Sequence, residues 1–126
     1  MSLFVGIIMI ACSNMDENKK LILKGMATSP GIVEGTAKLF SLGDDAKLFN
    51  EGDILVTTLT DPTMVQAMIK AKAIVTDIGG MTSHPAILSR EMGIPCVVNT
   101  KEATTIIKDG MRIIVDGAKG EIYAVD

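Results

Sequence analysis

The sequence is poor in aromatic side chains, since Phe, Tyr and Trp together make up 3% of its 126 residues and Trp is absent. A chain of this length is expected to form one domain and is large enough to bury a core. Isoleucine, valine and leucine must therefore fill that core, and the nine methionines supply side chains that adapt to irregular gaps.

Clusters of basic residues are also missing. The 12 Lys and Arg are outnumbered by 15 Asp and Glu, which gives a formal net charge of -3, and the longest basic run is the pair Lys19-Lys20. Proteins that bind nucleic acid non-specifically depend on dense Lys and Arg to neutralise phosphates. We therefore expect no nucleic-acid partner.

Cysteine is scarce as well. The two cysteines, Cys12 and Cys96, lie far apart in the sequence and do not have the spacing of metal ligands. Reduced thiols are the simplest interpretation, which favours a cytoplasmic location and predicts no metal site.

No apolar run is long enough to cross a membrane. Leu3–Cys12 is an apolar run of ten residues, whereas a spanning helix needs about 20. Three interpretations of this run stay open. It is a strand or linker retained from a longer chain, a segment included because the translation start was wrongly assigned upstream of Met15 or Met26, or a bacterial lipoprotein signal. No Lys or Arg precedes it, as the last alternative would require. We expect residues 1–20 to be an apolar, then polar, extension or linker, residues 21–126 to form the domain, and no membrane partner.

Turn residues divide the rest of the chain into short apolar runs. The predicted strands are Leu21–Lys24, Gly35–Phe40, Asp53–Thr58, Ala73–Thr76, Cys96–Asn99, Met111–Val115 and Glu121–Val125. The segment Ala27–Gly31 ends in Ser-Pro-Gly and is predicted to be a loop. These runs, with the helices described next, indicate an α/β domain with a compact sheet and two main helices.

Two segments are typical of helices that pack on a sheet. The first is predicted to begin at Asp61-Pro62, an N-cap residue followed by a proline. The residues predicted to share its buried face are Met64, Val65, Met68 and Ile69. The second follows His84 and is expected to turn Ile87 and Leu88 inward.

The stretch Asp77–Val98 contains the only histidine of the chain, His84. Gly79-Gly80 allow a sharp turn after a strand and a close approach to the main chain. Thr82 and Ser83 are helix-capping residue types, and the N–H groups of a first helical turn favour an anion. An unperturbed imidazole is largely neutral and nucleophilic at cytosolic pH. We predict that His84 attacks phosphorus and that Gly79, Gly80, Thr82 and Ser83 surround the phosphoryl group.

This stretch resembles the phosphohistidine signature of the phosphoenolpyruvate-utilising enzymes, which include phosphoenolpyruvate synthase, pyruvate phosphate dikinase and enzyme I of the sugar phosphotransferase system. The matching residues are Gly79-Gly80-Met81-Thr82-Ser83-His84, then Ser89-Arg90-Glu91 and the helix exit Gly93-Ile94-Pro95. The resemblance extends over residues 23–125, through LKGMATSPGIVEGTAKLF, GDILVTTLTDPTMVQAM and IIKDGMRIIVDGAKGEIY. It implies the mobile, or swivelling, β/β/α domain of that family.

The resemblance implies a phosphoryl carrier. His84 is then transiently phosphorylated, at Nε2, and relays the phosphoryl group between separate active sites in pyruvate and phosphoenolpyruvate metabolism. Arg90 either contacts the phosphoryl group or makes a structural ion pair. The domain would be an incomplete phosphotransferase that binds no cofactor itself. ATP and Mg2+ would be bound by its partners, a nucleotide-binding ATP-grasp domain and a phosphoenolpyruvate/pyruvate-binding barrel, present as domains or subunits.

Two other functions stay open beside this one. One is delivery of the phosphoryl group to a carrier protein, in the manner of enzyme I. The other is a degenerate regulatory or binding module in which His84 has only a structural role.

Two departures from the family pattern bear on the site. Pro85 follows His84 directly, where the family has a small residue such as alanine or threonine, and a proline lacks the N–H that would bind phosphate. Asn99-Thr100 stands where glycine-threonine is usual and is expected to alter only a loop. Thr60 and Thr63, just before and within the start of the first helix, either reach His84 or cap that helix.

Overall fold

We analysed a computed structural model of the chain, which describes residues 19–41, 44, 49–60, 64–81 and 83–125. The apolar N-terminal run, the predicted helix start at Asp61-Pro62, Thr63 and Thr82 lie outside the described residues. The strands are β1 (Lys19–Lys24), β2 (Met26–Ser29), β3 (Ile32–Leu39), β4 (Ile54–Thr57), β5 (Ala73–Thr76), β6 (Cys96–Val98), β7 (Arg112–Asp116) and β8 (Glu121–Val125). The helices within the same residues are α1 (Val65–Lys70), α2 (His84–Met92) and the single-turn α3 (Ala103–Ile106). The predicted α/β class with two main helices is confirmed.

The strands join in one eight-stranded sheet with the order β1-β8-β7-β3-β4-β5-β6-β2. The neighbours β3, β4, β5 and β6 are parallel, whereas the remaining pairs are antiparallel. The two edge strands, β1 and β2, are separated in the chain by one residue, Gly25. The sheet must therefore curl until its two edges approach each other. Gly25 lies at this corner, where a Cβ atom would stand 2.5 Å from the carbonyl oxygen of Val98.

Curling of the sheet produces two separate cores. The first is enclosed by the sheet itself and consists of Leu23, Ala37, Ile54, Val56, Ala73, Val75, Val97, Ala103, Ile107, Ile113, Val115 and Ile122. The second fills the space between the parallel strands and the helices α1 and α2, and consists of Phe40, Phe49, Leu55, Met64, Ala67, Met68, Ala71, Ile74, Cys96 and Val98. Side chains alternate between these cores along the parallel strands because successive residues point to opposite faces. The layered β/β/α arrangement implied by the resemblance is confirmed.

The predicted loop over Ala27–Gly31 is wrong for its first half. Met26–Ser29 forms β2, which pairs antiparallel with β6. Its polar side chains bond to β6 and to the segment that follows α2. Thr28 Oγ1 donates to the carbonyl of Cys96 at 3.2 Å, and Ser29 Oγ donates to the carbonyl of Ile94 at 2.6 Å. The strand escaped prediction because it is short and polar, and its stability depends on partners distant in sequence.

Two predicted inward positions are also wrong. Ile69 in α1 is 60% exposed, and Ile87 in α2 is 45% exposed. The buried residues are Ala67 and Met68 of α1 and Met64, which precedes the helix by one residue. Met64 is three and four positions before the other two, so the three form one narrow stripe that excludes Ile69. Helix periodicity was therefore correct, but the buried stripe is narrower than predicted.

Cys96 is buried in the second core and is not part of a disulfide. Burial raises the pKa of the Cys96 thiol, an effect partly offset by the hydroxyls of Thr28 and Ser89 and by the charge of Arg90. A buried, protonated thiol is a poor nucleophile. Cys96 is therefore a core residue, in agreement with its interpretation as a reduced thiol.

Ser89 lies next to Cys96, and among the described residues its buried hydroxyl is the one without a good hydrogen-bond partner. It is fully buried in α2, and its Oγ has no hydrogen-bond partner within the described residues apart from the weakly polar thiol. A buried hydroxyl without a good partner lowers the stability of the folded state.

Ser89→Ala is accordingly expected to stabilise the domain by about 1 kcal/mol, because it removes a desolvated hydroxyl and introduces a better helix former. The free energy of unfolding, measured by urea denaturation, tests this. Ser29→Ala is the matched control: Ser29 is equally buried, but its hydroxyl donates a 2.6 Å bond, so its removal is expected to destabilise. A loss of stability in both variants would contradict the assignment of Ser89 as unsatisfied.

Candidate functional site

The site lies at the sheet edge where the parallel strands β4, β5 and β6 end. Parallel strands bring their carboxyl ends to one edge, which is the usual ligand-binding edge of α/β sheets. Backbone bonds join the segments that follow these strands. Ile78 N–H donates to the carbonyl of Thr58 at 3.0 Å, and Lys101 N–H donates to the carbonyl of Asp77 at 3.0 Å. The loops after β4, β5 and β6 thus form one connected surface.

Gly79 and Gly80 make the turn that leads from β5 to α2. Gly79 has φ +142°, and a Cβ there would stand 3.2 Å from Ser83 Oγ, so this position favours glycine. A Cβ on Gly80 would contact nothing within 4 Å. The turn therefore needs glycine at its first position for backbone reasons, whereas its second position opens onto free space from which a ligand can approach.

Ser83 occupies the N-cap position of α2, as predicted, with extended φ and ψ of -68° and 158°. Its hydroxyl does not cap the helix but donates to the carbonyl of Gly80 at 2.7 Å, and its N–H donates to the same carbonyl at 3.1 Å. The side chain thus closes the glycine turn. The Ser83 side chain therefore leaves the first-turn N–H groups of His84 and Ala86 uncapped.

His84 is the first residue of α2 and its side chain is exposed. Its Nδ1 lies 3.3 Å from Oγ1 of Thr60, which follows β4. Of the two interpretations of Thr60, contact with His84 is the one confirmed. Contact at Nδ1 orients the ring, and Nε2 is the ring nitrogen that this contact does not engage.

Pro85 is buried directly after His84. The first N–H groups of a helix have no partner within the helix, and the fixed φ of proline matches helical geometry, so a proline is tolerated here. The departure from the family pattern is therefore compatible with the helix start. It still removes one N–H donor from the first turn.

Arg90 extends from the last turn of α2 to two other segments. Its Nε donates to the carbonyl of Thr28 in β2 at 2.7 Å, and its Nη2 donates to the carbonyl of Met81 at 2.5 Å. Both acceptors are backbone carbonyls, whereas an ion pair would have needed a carboxylate. Arg90 thus ties the signature loop and the edge strand to α2, and its contact with a phosphoryl group stays a prediction.

Asp77, the acidic residue closest in sequence to the glycine turn, is buried and its carboxylate is hydrogen-bonded. Its carboxylate accepts bonds from Thr104 N–H at 3.0 Å and from Thr104 Oγ1 at 2.5 Å. It therefore holds α3 against the end of β5. Because both carboxylate oxygens of Asp77 are bonded to Thr104, Asp77 is not placed to act as a general base.

The second departure from the family pattern has a conformational reason. Asn99 has φ +57° and Lys101 has φ +70°, and Asn is the non-glycine residue that tolerates such a backbone best. Between them, Thr100 Oγ1 donates to the carbonyl of Thr76 at 2.9 Å. Asn99 thus occupies a position suited to glycine, which agrees with the expectation that the change alters only a loop.

The described residues form neither a metal-binding cluster nor a membrane-spanning helix. Within them, no three His, Cys, Asp or Glu side chains are grouped so as to hold a metal ion. No helix in the same part of the chain is both long and apolar enough to span a membrane.

Comparison with known proteins identifies the family. The family model described as "PEP-utilising enzyme, mobile domain" matches residues 49–120. A probable phosphoenolpyruvate synthase of Archaeoglobus fulgidus is 56% identical over 104 residues, and the phosphoenolpyruvate synthase of Pyrococcus furiosus is 55% identical over 107 residues. These matches cover 82% and 85% of this chain but only 14% and 13% of the relatives, so the chain spans about one seventh of their length.

A solved structure agrees with the sequence relatives. The solution structure of an enzyme I protein is 30% identical, with a TM-score of 0.55, and the match covers 66% of this chain and 34% of that one. The family model spans the chain from just before β4 to the β7–β8 turn, including the glycine turn, His84 and α2. Because this model matches more than half of the sequence, the chain belongs to the family of PEP-utilising enzymes and represents their mobile domain.

Proposed function

We propose that this domain carries phosphoryl groups on His84 between two active sites that interconvert pyruvate and phosphoenolpyruvate. The observation that carries the proposal is an exposed imidazole at the start of α2, oriented by Thr60 at Nδ1, within a mobile domain of the PEP-utilising family. Phosphoryl transfer depends mainly on positioning and charge neutralisation and needs no general base here.

The contact with Thr60 supports different roles for the two ring nitrogens in this proposal. In the proposed state Nδ1–H donates to Thr60 Oγ1, so the lone pair of neutral His84 resides on Nε2. Nε2 attacks in line, forming the N–P bond as the bond between phosphorus and the leaving oxygen breaks, and that oxygen keeps the electron pair. At the second active site an acceptor oxygen attacks phosphorus, so that a P–O bond forms as the N–P bond breaks and its electron pair returns to Nε2, which regenerates neutral His84.

The phosphoryl group is proposed to sit over the glycine turn and the first turn of α2. Gly80 opens onto free space, and Gly79 allows the chain to turn beneath the ligand. The helix dipole of α2 stabilises an anion at the N-terminus by roughly 0.3 to 2 kcal/mol. Ser83 and Thr82 are proposed to donate hydroxyl bonds, Ser83 by rotation away from Gly80. Arg90 holds this loop in place and is proposed to contribute positive charge.

The groups that give and take the phosphoryl are proposed to lie in other parts of the enzyme. The chain spans about one seventh of its curated relatives, so most of their sequence has no counterpart here. We propose a nucleotide-binding ATP-grasp partner and a phosphoenolpyruvate/pyruvate-binding barrel, which bind ATP and Mg2+. The domain itself would bind no cofactor.

Thr60→Val is expected to slow phosphorylation of His84 about tenfold, because loss of one orienting bond worth about 1.4 kcal/mol corresponds to that factor. The 15N resonances of the ring should show a smaller share of the Nδ1–H tautomer, a change that a merely structural role would not produce. Thr58→Val is the control, since Thr58 is an exposed threonine on the same segment. Unchanged rate and tautomer in Thr60→Val would contradict the positioning role.

The proposed function is tested by supplying [32P]phosphoenolpyruvate together with the Pyrococcus furiosus synthase whose own phosphorylatable histidine is replaced. This chain is expected to become labelled, with a bond that is acid-labile and base-stable, as for phosphohistidine. Addition of pyruvate should then remove the label as phosphoenolpyruvate. Label that returns only to a small phosphocarrier protein would favour enzyme I-like delivery, and complete absence of label would favour the degenerate module.

A further inference from the structure

Met81 presents a thioether at the surface, three residues before His84. It is 50% exposed, and the next most accessible methionine among the described residues, Met26, is 37% exposed. Met64 and Met68 are buried, with 1% and 0% exposed. A thioether inside a core is shielded from solutes, whereas one at the surface meets them. Met81 is therefore the described methionine that is most open to an external reagent.

The guanidinium of Arg90 lies beside this thioether. Nη2 of Arg90 is 3.9 Å from Met81 Sδ and donates to the carbonyl of Met81 at 2.5 Å. Nε of the same guanidinium donates to the carbonyl of Thr28. A thioether sulfur accepts hydrogen bonds only weakly, so the second N–H of Nη2 is held loosely. That N–H is available to a stronger acceptor, such as a phosphoryl oxygen.

The stretch around the histidine offers no other cation in place of Arg90. Residues 78–89 contain no Asp, Glu, Lys or Arg, and Arg90 is the basic residue nearest in sequence to His84. The carboxylate of Asp77, just before this stretch, is bonded to Thr104. A change in what Arg90 contacts is therefore not made up by a neighbouring charge within this stretch.

We propose that Met81 is a modification site, at which oxidation to the sulfoxide by a peroxide slows phosphorylation of His84. The effect on His84 rests on the proposed function and on the positive charge contributed by Arg90. A lone pair of Sδ attacks one oxygen of hydrogen peroxide, and an S–O bond forms as the O–O bond breaks. The departing hydroxide takes the proton of the transferred oxygen and leaves as water. Sulfur loses two electrons in this step, and the peroxide gains them.

The added oxygen changes the acceptor that Arg90 finds on Met81. Oxidation turns an apolar thioether into a polar group whose oxygen is a strong acceptor. This oxygen is bonded to an atom that already lies 3.9 Å from Nη2, so a charge-assisted hydrogen bond forms with little movement. The carbonyl and the sulfoxide of Met81 then occupy both N–H groups of Nη2, which leaves neither of them for the phosphoryl group. Methionine sulfoxide reductases reverse the change.

Peptide mapping tests the site of oxidation. Trypsin cleaves after Lys and Arg and releases residues 73–90, in which Met81 is the only methionine, and residues 25–38, in which Met26 is the only one. The chain is treated briefly with hydrogen peroxide and digested, and mass spectrometry follows the addition of one oxygen to each peptide. Peptide 73–90 is expected to be oxidised at least about twofold faster than peptide 25–38 because its methionine is more exposed.

The rate of phosphorylation tests the consequence. The oxidised chain is expected to take label from [32P]phosphoramidate, which acts on the imidazole directly, about tenfold more slowly than the untreated chain. Methionine sulfoxide reductases A and B should restore the rate, whereas dithiothreitol alone, which reverses thiol oxidation, should not. Met81→Leu keeps the side-chain size and should label within about twofold of the unsubstituted rate before and after peroxide. Met26→Leu is the matched control and should stay sensitive to peroxide.

Equal rates of oxidation in peptides 73–90 and 25–38 would overturn Met81 as the preferred site. An unchanged labelling rate of the oxidised chain, or an equal slowing of the Met81→Leu variant by peroxide, would overturn the effect on His84. If the untreated chain takes no label, the proposed function fails instead, and the peptides still decide whether Met81 is the oxidised site. The two failures are therefore distinguishable.

Discussion

Replacing His84 by alanine is expected to abolish phosphorylation of the chain, with label reduced to background in the assay with [32P]phosphoenolpyruvate. The reason is chemical, since no second histidine exists to take the phosphoryl group. His84→Gln should be equally inactive because an amide nitrogen lacks the basic lone pair that attacks phosphorus. Phosphoramidate is a small phosphoryl donor that needs no protein partner. With this donor, too, the acid-labile signal of both variants should stay at background.

The folded state should survive these substitutions. The His84 side chain is exposed, and its described contact is the single one with Thr60, so the unfolding midpoint is expected to change little. A thermal denaturation curve close to that of the unsubstituted chain is the necessary control. Acid-labile label that persists in His84→Ala would remove His84 from its proposed role.

Gly117→Ala is expected to destabilise the domain strongly, on the order of 3 kcal/mol, which is a large part of the stability of a small domain. Gly117 lies in the β7–β8 turn, and a Cβ there would stand 2.0 Å from the carbonyl oxygen of Ser29 and 2.9 Å from Pro95 Cβ. Gly117 N–H also donates to the carbonyl of Gly31 at 2.7 Å, so the turn cannot move away without losing this bond. The free energy of unfolding from urea denaturation measures the effect.

Gly80→Ala is the control for this prediction because the added Cβ would enter open space and Gly80 is not among the glycines with positive φ. It should change the free energy of unfolding by less than about 1 kcal/mol. Similar stability in Gly117→Ala and the unsubstituted chain would show that the β7–β8 turn shifts easily from β2. The Gly117 substitution should also weaken phosphorylation, since β2 supplies the carbonyl of Thr28 that anchors Arg90.

The sequence predicted those parts of the fold that depend on local pattern. The strands Ala73–Thr76 and Glu121–Val125 were placed at their observed bounds because β-branched and apolar residues lie between clear turn signals. β2 was missed because its residues are polar and its partner, β6, lies about 70 residues further along. Ile69 and Ile87 were wrongly placed inside because apolar character alone does not fix which helix face meets the sheet.

In the candidate site, too, the features set by local sequence were predicted and those that depend on distant partners were not. The order of Gly79, Gly80, Ser83 and His84 along the chain indicated a turn followed by a helix start, and the structure has both. The sequence suggested that the loop before α1 could reach His84, since parallel strands end at one edge, but it could not say which threonine does so. Nor could it show that Arg90 bonds to Thr28, because that bond requires the unrecognised strand β2.

The pairing of the first strand with the last has a mechanical consequence. Lys19 and Val125 are partners across β1 and β8, so the two ends of the described chain lie side by side. From there β1 runs about 20 Å to Gly25, the corner that lies against Val98 next to the edge that carries His84. A rotation of the domain about this paired end would therefore move the edge that carries His84 along a longer path than the paired end itself.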